Sequence, residues 1–262
     1  MTRLGLRAHL SHLLDRLWYG PVQPEPDPEV LAPILEGRSL WLGGLTPAQL
    51  LTTHQHQRDG RETTPNDCAV VSMAMIIHQA LWLAGYTDIR VPYPDLARAM
   101  DRAPLYGRGF YRVPFVGAVP PGRAAAALRC IAQAFVADGH PRPWRVRLQG
   151  HMTQEALLFH LRAGYPTILY GVGHTGVPHA VVLAGYDPAL KQWHILDPAY
   201  PWPYRGRAAF ARWSPEELAR WWHRRYFAYK RYTALWLTDI PRPRPVAEAE
   251  PVPQTLPLVP AA

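Results

Sequence analysis

An α+β fold is predicted by three features of the chain. The first half carries the apolar periodicity of helices, including a run from Cys68 to Ala84 that is apolar almost all round. After Gly164 the pattern changes to short strand-like runs, and no repeat of fixed period is visible. At 262 residues and 48% hydrophobic, the chain is long and apolar enough to bury a full core.

Three segments are expected: an N-terminal helical extension over residues 1–45, a main domain over 46–240, and a Pro-rich tail over 241–262. Leu6, Leu10, Leu13, Leu14 and Leu17 recur at helical spacing and predict an amphipathic helix packed on the domain. Arg3, Arg7, Asp15 and Arg16 interrupt that stretch, so it is neither a signal peptide nor a membrane span, and a cytoplasmic protein is expected. Residues 21–28 carry a proline at nearly every other position, as an extended linker does. The tail lacks aromatics and is dominated by Pro, Ala, Val and Glu, a composition that predicts disorder.

Thr46 followed by Pro47 opens a short helix, with threonine as cap and proline at the first position. A polar stretch over residues 58–67 precedes the apolar run, and Asn66 and Asp67 stand where an N-cap belongs, which sets Cys68 in the first helical turn. Further helices are predicted over residues 94–103, 123–137 and 153–163, the last with Thr153 as cap and Glu155 near the positive end of the dipole. Strands follow over 167–170, 179–184 and 192–196. The last two read as a hairpin about residues 185–191, and symmetrical pairing sets His179 opposite Asp197. A helix over 215–225 capped by Ser214 and a strand over 233–237 complete the domain.

A thiol at a helix start is favoured as thiolate by the dipole and by unsatisfied N–H groups. An imidazole at a strand start and a carboxylate on the neighbouring strand would complete a nucleophile, base and orienting group. Cys68, His179 and Asp197 fit those roles. A cysteine in an apolar helix is more often a small core residue, and Cys130, within the helical stretch 123–137 and without a cap or partner histidine, illustrates that case. With only two cysteines in the chain, both are read as free thiols.

The order of these pieces resembles the papain-like superfamily, and within it the peptidase C39-like family. The matching residues are Gln57-Arg58-Asp59, Asn66-Asp67-Cys68 followed by Ser72-Met73-Ala74-Met75, Ala163-Gly164-Tyr165-Pro166, the run from Pro178-His179 to Tyr186-Asp187, and Ile195-Leu196-Asp197-Pro198. The resemblance implies a papain-like fold, with a central helix packed on an antiparallel sheet. It implies thiol attack on a peptide or related acyl bond through an acyl-enzyme, a peptide or protein substrate, and no cofactor or metal. Gln57 would correspond to the oxyanion glutamine, with Gln55 as the alternative. The chain departs from the pattern at Ala69, where many members have glycine. An inactive binding module, or an acyl transferase using the same site, is compatible with the same residues.

The net charge of +8 would suit an acidic partner. Lysine occurs only at Lys191 and Lys230, however, so the charge is nearly all arginine and reads as compositional bias. Arginines and aromatics interleave over residues 205–232; solvated arginines on a helix with buried aromatics are the preferred reading there, and nucleic acid is not the expected partner. Residues 171–176 spell a glycine pattern of dinucleotide sites, but Pro178 and a strand follow where a helix is needed. His54 and His56 lack the companion ligands of a metal site, and no feature specifies an oligomeric state.

Overall fold

The computed structural model describes residues 39–57, 67–102, 119–137, 143–172, 176–200, 209–224 and 230–241. The predicted first helix, the linker, Asn66 and all of the tail but Pro241 lie outside them. Among the described residues, six helices accompany an antiparallel sheet of seven strands, in agreement with the α+β class. The helices are α1 (Pro47–Thr52), α2 (Cys68–Leu83), α3 (Tyr93–Arg102), α4 (Pro121–Ala137), α5 (Gln154–Ala163) and α6 (Pro215–Trp222). The strands are β1 (Leu40–Trp41), β2 (Arg145–Gln149), β3 (Thr167–Val172), β4 (Pro178–Asp187), β5 (Gln192–Leu196), β6 (Ala211–Trp213) and β7 (Thr233–Thr238).

Strand order is β2-β7-β3-β4-β5-β6, and β1 pairs with β4 at Leu40↔Tyr186 and Trp41↔Gly185, just past the last β3 partner, Leu183. Residues 40 and 41 thus join the sheet ahead of Thr46. Gly185 is what permits this: a Cβ there would lie 2.6 Å from the Trp41 ring and 2.9 Å from the Leu40 carbonyl oxygen. Strands β1, β2 and β6 were not predicted. The first and last span two and three residues, too short for a period to register.

Local capping sets several helix starts. Thr46 and Gln49 form a reciprocal capping box, as do Ser214 and Glu217, and the Thr153 hydroxyl accepts from the Ala156 N–H. Helix α2 differs from expectation here. Asp67 is its N-cap residue by position, and its carbonyl accepts the Val71 N–H at 2.9 Å, but its side chain makes no capping bond. What holds α2 is burial: every residue from Cys68 to Leu81 is buried. It packs chiefly on β4, with α3, α4 and β3 as further neighbours.

Helix α5 lies against β1, the 3-10 turn Leu42–Gly44 and β4, whereas α6 covers β3, β5 and β6. Gln154 ties the two groups, donating to the Pro215 carbonyl and accepting from the Trp193 indole, each at 2.9 Å. Within α5, His160 is fully buried. The Thr167 hydroxyl donates to the Tyr165 carbonyl at 2.7 Å, so its oxygen accepts from His160 Nδ1–H at 3.2 Å. Burial lowers the His160 pKa from 6.5 to about 3.

The unfolded chain therefore takes up this proton before the folded one, and folding stability falls as pH drops from 6.5 toward 3. His160 alone should contribute a slope approaching about 1.4 kcal/mol per pH unit over that range. Urea midpoints at about pH 7 and about pH 4.5 should separate further in the native chain than in His160→Gln, and equal acid losses would refute the assignment.

Candidate active site

Cys68 is the first residue of α2, so its side chain stands where the helix presents unpaired N–H groups and the positive end of its dipole. It is 4% exposed, and Ala69 behind it is fully buried. Cys130 is partly exposed on α4, and both thiols are free.

His179 is the second residue of β4, and Asp197 follows the last residue of β5. They do not sit directly opposite each other, as symmetrical pairing had suggested. Strand β4 continues to Asp187, which pairs with Gln192 across a tighter turn, and after a register shift between Leu183 and Gly185 Val182 faces Leu196. The Asp187 carboxylate closes that turn by accepting the N–H groups of Ala189 and Leu190 at 2.9 and 3.0 Å. Continuing the register brings Asp197 level with Val181, so it reaches His179 along the diagonal, a span that long side chains bridge.

The bridge is short: His179 Nε2–H donates to Asp197 Oδ1 at 2.7 Å. The Cys68 thiol acts on the same imidazole and adds to the raising of its pKa. Asp197 Oδ1 also accepts the Ala199 N–H at 2.7 Å. The two side chains of the ion pair are 19% and 15% exposed.

Burial works against charge on both partners. At His179 it would lower the pKa, but the Asp197 charge and the hydrogen bonds to Asp197 and Cys68 outweigh it, and the pKa stands well above 6.5. At Asp197 burial would raise the pKa, but the charge and hydrogen bond of His179, the Ala199 N–H and the His54 ring hold it below 3.8. The pair's contribution to stability is therefore complete between pH 3.8 and 6.5. It fades as pH falls through the lowered Asp197 value or rises through the raised His179 value.

The two glutamines are separated by their partners. Gln55 is committed to the scaffold: its Nε2 donates to the Val91 carbonyl at 2.8 Å and its Oε1 accepts the Tyr93 N–H at 2.7 Å. Gln57 is fixed by its backbone instead. Its N–H donates to the Pro198 carbonyl at 2.8 Å, its carbonyl accepts the Tyr93 hydroxyl at 2.9 Å, and its side-chain oxygen is buried without a partner. His54, set aside above as a metal ligand, has Nε2 at 3.0 Å from the Asp197 carbonyl oxygen. The segment carrying Gln57 is thus stitched to the segment carrying Asp197 at two consecutive carbonyls. Sequence periodicity carries no signal for this brace, because it joins residues more than 140 positions apart.

In the arginine and aromatic run, Trp222 is fully buried with its indole N–H donated to the Thr233 carbonyl, Trp213 and Trp221 are partly buried, and Arg212, Arg220 and Arg224 are exposed. Residues 205–208 and 225–229 lie outside the described part. In the glycine-patterned segment, Gly171 and Val172 end β3 and β4 begins at Pro178. No helix of the described residues is long and apolar enough to cross a membrane. Comparison with family models matches residues 50–229 to the one described as Peptidase C39 like family. No curated protein gives a significant match to the chain.

Replacing Asp197 by Asn keeps an acceptor for Nε2–H and removes the charge. The His179 titration, followed by imidazole NMR shifts, should move to lower pH in Asp197→Asn. An unchanged midpoint would show that the carboxylate does not hold the ring charged.

Proposed function

Since the chain belongs to the peptidase C39 like family, we propose that it is a papain-like cysteine hydrolase of peptide or related amide bonds, with Cys68 as nucleophile. His179 is its base and acid, Asp197 orients the imidazole, and Gln57 donates to the oxyanion. The observation that carries this reading is the His179 ring, held by Asp197 at 2.7 Å on one nitrogen, with the Cys68 thiol acting on the same ring.

In the reaction the Cys68 sulfur attacks the carbonyl carbon, and the developing oxyanion is met by the Cys68 N–H and the Gln57 amide. The C–N bond then breaks, the electron pair leaving with nitrogen, and the His179 imidazolium gives its proton to the departing amine. Water attacks the thioester with His179 now acting as base, which releases the acid and restores the thiol. Gln57 is preferred to Gln55 because the Gln55 amide is committed on both sides, its Nε2 to the Val91 carbonyl and its Oε1 to the Tyr93 N–H. Alanine at position 69 is compatible with this chemistry, because the residue is fully buried.

Exposure alone would make Cys130 the faster thiol, since Cys68 is 4% exposed and Cys130 is more open. A small thiol-alkylating probe at neutral pH should instead label Cys68 first, and His179→Ala should slow that labelling by about tenfold or more while sparing Cys130. Equal labelling of the two thiols, unaffected by His179→Ala, would sink the reading and leave a binding module.

A further inference from the structure

Gly171 of β3 is paired with His179 of β4, and residues so paired in antiparallel strands project to one face of the sheet. With no side chain at Gly171, the indole of Trp221 occupies the space: a Cβ built there would lie 2.7 to 2.8 Å from three atoms of that ring. Trp221 therefore stands beside His179 across the strand pair. Its ring also meets Trp213 at a centroid distance of 5.1 Å. With Val172, Glu217, Arg220 and Arg224, these two tryptophans line a cavity of about 260 Å³.

The chemistry proposed above, on which this inference rests, fixes what belongs there. Because His179 hands its proton to the departing amine, the leaving half of the substrate lies on the histidine side of the scissile bond, and the acyl half lies over Cys68. We infer that the cavity lined by Trp213 and Trp221 is the subsite for that leaving half, and that it selects an apolar or aromatic residue followed by a carboxylate. The indoles supply the apolar walls and the ring faces on which an aromatic side chain stacks. Arg220, in the last turn of α6, and Arg224, two residues past its end, bring two guanidinium charges to this lining against the one carboxylate of Glu217, a net positive charge suited to a carboxylate.

The test uses the full chain carrying Cys68→Ser, so that binding is read without reaction, with the dipeptide Phe-Gly, its C-terminal amide and Gly-Gly as probes. Phe-Gly should shift the indole N–H resonances of Trp213 and Trp221, and the amide and Gly-Gly should each bind about tenfold more weakly or worse. Adding Arg220→Gln, an exposed substitution that the fold tolerates, should bring Phe-Gly down to the affinity of the amide. Equal affinity for Phe-Gly and its amide, binding that leaves both indole resonances unmoved, or no binding at all would overturn the inference. Thiol labelling of the native chain reads the hydrolase separately. Labelling that depends on His179, with no Phe-Gly binding, removes the subsite alone. Binding without such labelling removes the hydrolase reading and the leaving-group assignment with it.

Discussion

The hydrogen-bonded ion pair between His179 and Asp197 makes the heaviest demand on this fold. Two charges taken largely out of water are stable only when paired and when their remaining valences are met. Here the 2.7 Å bond, the Ala199 N–H and the Cys68 side chain meet them. That arrangement requires three pieces of chain to converge: the start of β4, the end of β5 and the first turn of α2. Strand β4 makes the convergence rigid, since β3 and β1 pair along one of its edges and β5 along the other.

Helix α2 supplies the third piece through hydrophobic burial rather than capping. A helix apolar on all sides has to be enclosed by other elements, and β4, β3, α3 and α4 enclose it. Enclosure leaves the N-terminus as the end that meets the polar cluster, so the position of Cys68 follows from packing the rest of the helix. The Ser72 hydroxyl, donating to the Ala180 carbonyl at 3.3 Å, registers α2 against β4 one turn further in.

Around this centre the supporting bonds come from far along the chain. His54 and Gln57 reach the carbonyls of Asp197 and Pro198, and Tyr93 and Gln55 steady the same loop from the start of α3. On the other side of the histidine, a missing side chain at Gly171 lets Trp221 close against the sheet. One flank of His179 is therefore a hydrogen-bonded loop and the other an aromatic wall, and the two differ in what they can recognise.

The sequence by itself determined the helical and extended halves, the caps at Thr46, Thr153 and Ser214, and the start of α2 at Cys68. These are legible because periodicity and capping are local, each depending on residues within a few positions of one another. The register of β4 against β5 was not legible: the tight turn at Asp187 and the shift near Gly185 replaced the symmetrical pairing and turned a direct contact of His179 with Asp197 into a diagonal one. Nor were the two glutamines separable, since each is defined by partners at Val91, Tyr93 and Pro198 that no spacing reveals. Trp221 beside His179 belongs to the same class. Tertiary structure decided these points because they depend on which surfaces remain to be covered once the local elements have formed.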